Sequence, residues 1–228
     1  MKNLVILTGA GISAESGIKT FRDSDGLWEG HDVMEVATPE GFKKNPALVL
    51  EFYNQRRRQL LSVKPNTAHT DLVKLEQQYN VTIITQNVDD LHERAGSTNV
   101  IHLHGELLKS RSSHNPKLIY ECKEDIKLGD LGLDKSQMRP HIVWFGEQVP
   151  MLDKAIEITA TADILVIIGT SMQVYPAASL INHIMYNTPI YFIDLKPSIS
   201  ENNFNNLKII KNTATKGVCE LVGILMKG

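Results

Sequence analysis

The sequence predicts an α/β protein with a doubly wound, Rossmann-like parallel sheet. Short apolar runs that are rich in β-branched residues and end in a polar residue or glycine are typical of buried parallel strands. Four such runs occur at Leu4–Thr8, Val81–Thr85, Ile164–Gly169 and Ile190–Asp194. Helical patterns such as Ala68–Tyr79 and Leu152–Thr161 lie between them. Because strand and helix alternate along the chain, this fold class is favoured.

The composition narrows the classes of function. The 228 residues include 24 Lys+Arg and 26 Asp+Glu, a formal net charge of −2, whereas a dedicated nucleic-acid binder needs a basic excess to release counterions. No apolar run reaches the roughly 18 residues of a membrane span, and the apolar N-terminal stretch runs into a glycine turn, which favours a strand over an export signal. The two cysteines, Cys122 and Cys219, cannot build a disulfide framework and fit a reducing cytosol. We therefore expect a cytoplasmic protein without membrane or nucleic-acid partners, with a monomer as the simplest assembly.

Two stretches interrupt the alternation and predict a smaller module. Residues 23–64 hold a polar, glycine-containing loop and a helix from about Pro46 to Leu61, and residues 106–141 are polar with weak periodicity. We expect these two insertions to pack together within one domain spanning residues 1–228. The large Rossmann-like part then comprises residues 1–22, 65–105 and 142–228. A module packed at the carboxyl ends of the strands would form a ligand cleft.

A glycine-rich turn follows the first predicted strand. Residues 8–17 read TGAGISAESG and are predicted to open a helix. The glycines let the backbone approach a pyrophosphate, and the free N–H groups at a helix start favour anions. Ala14 takes the place of the third glycine of the dinucleotide fingerprint, which is a permitted variant. An ordinary strand-to-helix turn is the alternative.

Polar residues follow the other predicted strands. Gly169-Thr170-Ser171 and Asp194 stand where a Rossmann-like fold contacts a dinucleotide, and Asp194 is a candidate partner for a ribose hydroxyl; an ordinary turn is the alternative. Residues 85–92, TQNVDDLH, bring amides and carboxylates to another strand end, where they would face the ligand crevice. Asn87 or Asp89 could instead cap the next helix, but capping needs one such residue and several crowd here.

Two histidines lie in the segment IHLHG, residues 101–105. In a strand, His102 and His104 face the same side. A histidine that precedes glycine at a strand end, near other polar strand ends, is a candidate general base because its pKa lies near neutrality. A metal-binding pair is the alternative, although no third ligand is evident nearby.

An arginine falls on the apolar face of the predicted insertion helix. That face is set by Leu48, Val49, Phe52, Tyr53 and Leu60. Arg56 projects near its middle, and a charge there is costly unless it is paired or lines a ligand pocket. We interpret Arg56 as an anion-binding residue that shares its face with Tyr53, whereas a solvated basic patch explains Arg58.

The segment IVWFGE, residues 142–147, is predicted to be a short strand. An exposed edge would let it pair with an extended peptide, and a core strand is the alternative.

Taken together and in this order, the motifs resemble those of the sirtuins, the NAD-dependent protein lysine deacylases. The matching segments are GAGIS at residues 9–13, GIKTFR at 17–22, TQNVD at 85–89, HLHG at 102–105, VWFGE at 143–147 and GTS at 169–171. The chain is most similar to the short bacterial group that removes acidic acyl chains. The marker of that group is a Tyr-x-x-Arg pair, here Tyr53 and Arg56, and the alanine of its roomy acyl pocket falls on Ala37.

The resemblance implies a reaction and a set of site residues. The acyl-lysine oxygen attacks the nicotinamide ribose and expels nicotinamide, His104 deprotonates a ribose hydroxyl that attacks the resulting imidate, and water releases lysine and O-acyl-ADP-ribose. His104 and Asn87 are the implied catalytic residues. The implied NAD-binding residues are Gly9, Ala10, Gly11, Ser13, Phe21, Arg22, Trp28, Gln86, Asn87, Asp89, Gly169, Thr170, Ser171, Asp194 and Ala214. The implied residues for the acylated protein or peptide are Ala37, Tyr53, Arg56, Val143, Phe145, Gly146 and Glu147.

The sequence departs from the family pattern in three places. Most sirtuins hold a structural zinc with two cysteine pairs in the smaller module, but here the corresponding region contains only Cys122, and Ser112 stands where the first thiolate is expected. Cys122 and His114 alone cannot complete a tetrahedral site, so we predict that zinc is absent. Thr20 replaces a common aspartate. Asp194 replaces an asparagine that contacts the adenosine ribose, which keeps a hydroxyl acceptor and disfavours a phosphorylated ribose.

Two other functions are compatible with the same motifs. An ADP-ribosyltransferase or NAD glycohydrolase of the same fold also consumes NAD, and a non-catalytic module would only sense NAD or bind a peptide. The intact His104 favours deacylation, because a transferase does not need to deprotonate the ribose. The complete set of polar strand-end residues argues against the non-catalytic module. The predicted function is therefore NAD-dependent removal of acetyl and acidic acyl groups, including succinyl, from protein lysines.

Overall fold

A parallel sheet of six strands lies at the centre of the computed structural model, which describes residues 1–19, 27–28 and 30–227. The strands are, in chain order, β1 (Lys2–Thr8), β2 (Leu27–Trp28), β3 (His31–Asp32), β4 (Tyr79–Thr85), β5 (Val100–His102), β6 (Gly105–Ser112), β7 (Ile119–Glu121), β8 (Met138–Ile142), β9 (Ile164–Ile168), β10 (Ile190–Ile193) and β11 (Leu207–Ile210). The central sheet has the order β11-β10-β9-β1-β4-β5, and all neighbours are parallel. The strand order reverses between β1 and β9, and ligands bind at such switch points.

Helices cover both faces of this sheet. They are α1 (Val33–Val36), α2 (Pro39–Lys44), α3 (Pro46–Ser62), α4 (Thr67–Lys74), α5 (Leu91–Ala95), α6 (Leu152–Ala160) and α7 (Ala214–Leu225). Because side chains alternate along a strand, Leu4 and Ile6 of β1 join an apolar cluster with α4 and α7. Val5 and Leu7 join a second cluster with α6 and the 3₁₀ segment Ala177–His183. The predicted doubly wound α/β fold is confirmed. No helix in the described part of the chain is long and apolar enough to cross a membrane.

The helix predicted after the glycine-rich turn is not formed. Residues 10–16 instead make two short 3₁₀ turns, Ala10–Ile12 and Ala14–Ser16. The carbonyl of Ile12 accepts a hydrogen bond from the Asn66 side chain at 2.8 Å, while the N–H of Ser16 donates to Ser13. Gly17 then ends the segment with a left-handed φ of +94°. Backbone bonds from residue i to i−3, such as the one from the Ser13 N–H to the Ala10 carbonyl, therefore replace the i to i−4 ladder of an α-helix.

The polar stretch of residues 106–141 contains an antiparallel sheet of the order β7-β6-β8. It packs with α1 and α3 around a third apolar cluster that includes Phe52, Tyr53 and Trp144. The strand predicted at residues 142–147 was misplaced, because the pairing strand is Met138–Ile142 and a turn follows it. The residue limits proposed above for the two parts of the chain stay a prediction.

Arg57, rather than Arg56, is the fully buried arginine of α3. Its Nε donates to the Leu107 carbonyl at 3.1 Å, and its Nη1 donates to the Asn54 side chain at 2.7 Å. The Asn54 amide in turn bonds to both the N–H and the carbonyl of Ile126. Arg57 therefore links α3 to β6 and to the loop before β8, although the helical period had drawn attention only to its neighbours.

Candidate active site

A cleft of about 640 Å³ opens where the carboxyl ends of β1, β4 and β9 meet the smaller module. Its size lies within the range of small-molecule sites, about 300–1,000 Å³. The predicted residues that line it are Gly9, Ala10, Gly11, Trp28, Ala37, Tyr53, Gln86, Asn87, Asp89, His104, Val143, Phe145, Gly146, Glu147, Gly169, Thr170, Ser171, Asp194 and Ala214. Ser13 lies behind this wall and Arg56 lines an adjoining cavity. Phe21 and Arg22 lie outside the described residues.

Glycines let two loops touch at the switch point of the sheet. The N–H of Gly11 donates to the Gly169 carbonyl at 2.8 Å, and a Cβ on Gly11 would lie 2.5 Å from the Cα of Gly169. Gly169 also has a φ of +60°, a left-handed conformation that favours glycine. The two loops therefore present backbone to the cleft without side chains between, which fits the pyrophosphate of a dinucleotide such as NAD.

The loop after β4 is held by a buried hydrogen-bond network. Asn87 Nδ2 lies 3.2 Å from both the Gly9 carbonyl and Ser13 Oγ. Ser13 Oγ donates to Asp89 Oδ2 at 2.9 Å. Burial raises the pKa of Asp89 to about 6, against the hydrogen bonds from Leu91 and Ser13 that lower it. Ser13 therefore supports Asn87 and Asp89 from behind, and both of those side chains face the cleft.

His104 has the arrangement of a neutral general base. Its Nδ1 lies 3.0 Å from the Gln86 carbonyl, and because a carbonyl only accepts, Nδ1 carries the proton. Nε2 is then the basic nitrogen. Burial lowers the pKa of His104, although the bond to Gln86 opposes this effect, so the ring is neutral at pH 7. The following residue, Gly105, has a φ of +83°, and a Cβ there would lie 2.1 Å from the His141 carbonyl.

His102 does not line the cleft and has different partners from His104. Its Nε2 lies 2.7 Å from Glu93 Oε1, and its Nδ1 lies 3.0 Å from the Asn87 carbonyl. Burial alone would lower the pKa of His102, but the hydrogen bond and charge of Glu93 together with the Asn87 carbonyl raise it. A metal-binding pair with His104 is therefore not what the geometry favours. His102 and Glu93 instead brace the backbone of Asn87, and sequence reasoning missed Glu93.

Tyr53 and Arg56 line a small cavity beside the main cleft, and Tyr53 lines both. The Arg56 guanidinium lies 3.2 Å from the ring centroid of Phe52 and 5.4 Å from that of Trp28. It also donates to the Phe52 carbonyl at 2.5 Å. Arg58, by contrast, is exposed and pairs with Glu51 and Asp125. The predicted difference between Arg56 and Arg58 therefore agrees with their surroundings.

The Glu147 carboxylate is held by hydrogen bonds from neighbouring residues of the protein. It accepts hydrogen bonds from Arg111 and Arg139 and from the backbone N–H of Trp144. The N–H groups of Val143 and Phe145 donate to the carbonyls of His104 and Ala37. These three neighbouring N–H groups are therefore occupied by the protein, and the pairing of this segment with an extended peptide stays a prediction.

Glu15 is a cleft residue that sequence reasoning missed. Its carboxylate accepts hydrogen bonds from both the N–H and the hydroxyl of Thr215, and both Glu15 and Ala214 line the cleft. Nearby, Asp194 Oδ1 accepts a hydrogen bond from the Lys196 N–H. Since 200 residues separate Glu15 from Thr215, no local pattern could have revealed this contact.

Hydrogen bonds hold together the region in which most sirtuins have zinc-binding cysteines and this chain has Ser112. Ser112 Oγ donates to Asp134 Oδ2 at 2.6 Å and accepts from the N–H groups of His114 and Asn115 at 3.1 Å. Within the described ranges, no group of three or more His, Cys, Asp or Glu side chains could hold a metal ion. The absence of zinc from the protein itself stays a prediction.

Comparison with known proteins gives the family. Residues 9–176 match the Sir2 family model. The chain is 60% identical over 227 residues to an NAD-dependent protein deacylase of Helicobacter pylori, covering 100% of this chain and 99% of the relative. A solved complex of a Sir2 homologue with NAD is 39% identical, with a TM-score of 0.87, and the match covers 99% of this chain and 90% of the homologue. A Sir2 protein bound to an acetylated peptide is 29% identical, with a TM-score of 0.79, and the match covers 97% of this chain and 92% of that protein.

These similarities extend over nearly the whole chain, and they agree with the order of the motifs and with the cleft at the switch point. The chain belongs to the Sir2 family.

Proposed function

We propose that this NAD-dependent protein deacylase removes succinyl and related acidic acyl groups from lysine in addition to acetyl groups. The observation that carries the proposal is the small cavity beside the main cleft that both Tyr53 and Arg56 line. A guanidinium can bind a carboxylate with two hydrogen bonds, and a phenol can donate a third. The deacylase relatives make an ADP-ribosyltransferase or NAD glycohydrolase the less favoured alternative.

The residues present fit NAD, which when bound supplies a ribose carbon from which nicotinamide can leave. The touching loops around Gly11 and Gly169 would hold the pyrophosphate, and Asp194 would accept from an adenosine ribose hydroxyl. Asn87 and Asp89 would orient the other ribose next to His104. His104 Nε2 would take a proton from a ribose hydroxyl, because Nδ1–H is held by the Gln86 carbonyl. The smaller module would limit water at this point.

Acyl preference provides the test of this proposal. Charge-assisted hydrogen bonds contribute about 1.5–3 kcal/mol each, so Arg56→Met should lower kcat/KM for a succinyl-lysine peptide at least about tenfold, mostly through KM. Deacetylation should change little, because an acetyl group has no carboxylate. Tyr53→Phe should act in the same direction more weakly. Arg58→Met is the matched control, because this arginine pairs with Glu51 and Asp125 on the exposed side of α3.

Equal losses of desuccinylation and deacetylation in Arg56→Met, together with a lower melting temperature, would contradict the acyl-carboxylate role. Arg56 would then only hold α3 in place.

We further propose acylated lysine-containing proteins or peptides as substrates, as in the solved peptide complex, and a monomer that acts in the cytoplasm without binding nucleic acid. Both described cysteines are unpaired, which supports a reducing compartment. Size-exclusion chromatography with light scattering tests the monomer, and fractionation of cells tests the compartment.

A further inference from the structure

We propose that Trp144 is a positioning residue for acyl specificity. Its indole N–H occupies the oxygen of Tyr53 and leaves the hydroxyl hydrogen of Tyr53 available for the carboxylate of an acidic acyl chain. This inference rests on the proposed removal of acidic acyl groups.

The contact between the two side chains has a fixed direction. Trp144 Nε1 lies 3.0 Å from the Tyr53 hydroxyl oxygen, and the two residues are 2% and 0% exposed. An indole nitrogen only donates, so Tyr53 must accept this bond. The hydroxyl hydrogen must therefore be donated in another direction. Burial raises the pKa of Tyr53 above its ordinary value, so the hydroxyl keeps its hydrogen at neutral pH.

The surroundings of Tyr53 indicate where that hydrogen can go. Among the described residues, the bond from Trp144 is the hydrogen bond that the Tyr53 hydroxyl makes. Tyr53 lines the main cleft and also the small cavity that Arg56 lines. An acceptor in this cavity would meet the phenol hydrogen and the guanidinium together. A carboxylate has two oxygens and is suited to both donors.

The indole itself is held by several neighbours. The Arg139 guanidinium lies 3.2 Å from its ring centroid, and the ring of Phe42 lies 5.2 Å away. Arg139 also bonds to Glu147, which accepts the backbone N–H of Trp144. A buried indole with these contacts loses little further entropy when it donates to Tyr53. Trp144 can therefore set the orientation of the hydroxyl before substrate arrives, which is preorganisation rather than a direct substrate contact.

Acetyl and succinyl substrates should differ in their response to the loss of this bond. Without the indole N–H, the hydroxyl of Tyr53 can rotate, and part of its donation to the acyl carboxylate is lost. We expect Trp144→Phe to lower kcat/KM for succinyl-lysine about three- to tenfold, in the range of one ordinary hydrogen bond. The acetyl-lysine value should stay within about twofold, because no acyl oxygen receives the hydrogen.

A double-mutant cycle separates this role from simple packing. Trp144→Phe, Tyr53→Phe and the double variant are measured with succinyl- and acetyl-lysine peptides of one backbone. If Trp144 acts through the hydroxyl, Trp144→Phe causes no further succinyl-specific loss once Tyr53 is phenylalanine. A loss of the same factor in both backgrounds would overturn the inference, as would equal losses for the two peptides.

A shape-preserving variant protects the test against misfolding. Trp144→3-benzothienylalanine keeps the bicyclic ring but has no N–H donor, so it should reproduce the succinyl-specific loss with a melting temperature close to that of the parent. Unchanged desuccinylation in this variant would overturn the role of the N–H. If Tyr53→Phe itself leaves desuccinylation unchanged, the proposed function fails as well. If Tyr53→Phe lowers desuccinylation but the cycle is additive, only the inference about Trp144 fails.

Discussion

Replacement of His104 tests the assignment of the general base. His104→Ala removes both the basic Nε2 and the Nδ1–H that donates to the Gln86 carbonyl. Loss of a general base typically lowers the rate about 10²–10⁴-fold, equivalent to about 2.7–5.4 kcal/mol of activation free energy. We expect a loss of deacylation in this range for acetyl- and succinyl-lysine alike, because the base acts on the ribose and not on the acyl chain.

His104→Gln is the matched control for orientation. Its side-chain amide can still donate to Gln86 but cannot accept a proton from a ribose hydroxyl. We expect it to be as impaired as His104→Ala, while the melting temperature shows that both variants are folded. Deacylation by peptide mass, with NAD and peptide saturating, provides the assay.

The pH profile of the parent gives an independent check. Because burial lowers the pKa of His104, kcat/KM should hold at pH values below 6.5 and fall only as the pH drops through that lowered pKa. Near-parental turnover in folded His104→Gln would refute the reasoning and move the base to another group.

Three further predictions concern the loops, the His102–Glu93 pair and the smaller module. Gly11→Ala should raise the KM for NAD at least about tenfold, since its Cβ would lie 2.5 Å from the Gly169 Cα and force the two loops apart. Gly223→Ala is the control, because its Cβ would meet nothing within 4 Å. Equal KM values for the two variants would contradict the loop contact. Glu93→Gln should lower the melting temperature most between about pH 4.5 and 6.5. Glu93 has a lowered pKa, so its contribution to the free energy of unfolding is lost as the pH falls below that range. His102 has a raised pKa, so its contribution is lost as the pH rises through that folded-state pKa. A pH-independent difference in differential scanning fluorimetry would argue against an ion pair. A strong chelator should leave the activity and melting temperature unchanged, whereas Ser112→Ala should lower stability by about 1 kcal/mol; one tightly bound zinc per chain in metal analysis would contradict this prediction.

The sequence revealed the parts of the fold that carry strong local signals. β1, β4, β9 and β10 are continuous β-branched runs because neighbours cover both faces of the central sheet. The edge strands β5 and β11 have only three and four residues, which is too short to show a period. The antiparallel sheet of residues 105–142 escaped notice because several of its buried positions hold polar residues, such as Ser110, Arg111 and Arg139, so no apolar alternation marks its strands.

The site divides in the same way. Residues directly after strands, such as Asn87 and Gly169, could be predicted because the carboxyl ends of parallel strands meet at one edge. The supporting contacts could not, because they join distant segments: Trp144 is 91 residues from Tyr53. Arg57 was overlooked because helical periodicity does not distinguish a residue that reaches a buried carbonyl from one that reaches solvent.

Product analysis tests the central claim most directly. The purified chain is incubated with NAD and a succinyl-lysine peptide, and separately with the acetyl-lysine peptide of the same backbone, and nicotinamide, free lysine peptide and O-acyl-ADP-ribose are quantified by mass spectrometry. NAD-dependent deacylation that includes acidic acyl groups predicts that, with each peptide, the three products form in a 1:1:1 ratio. Without peptide, nicotinamide release should not exceed background. Nicotinamide release that does not depend on peptide and yields no deacylated lysine would contradict the account.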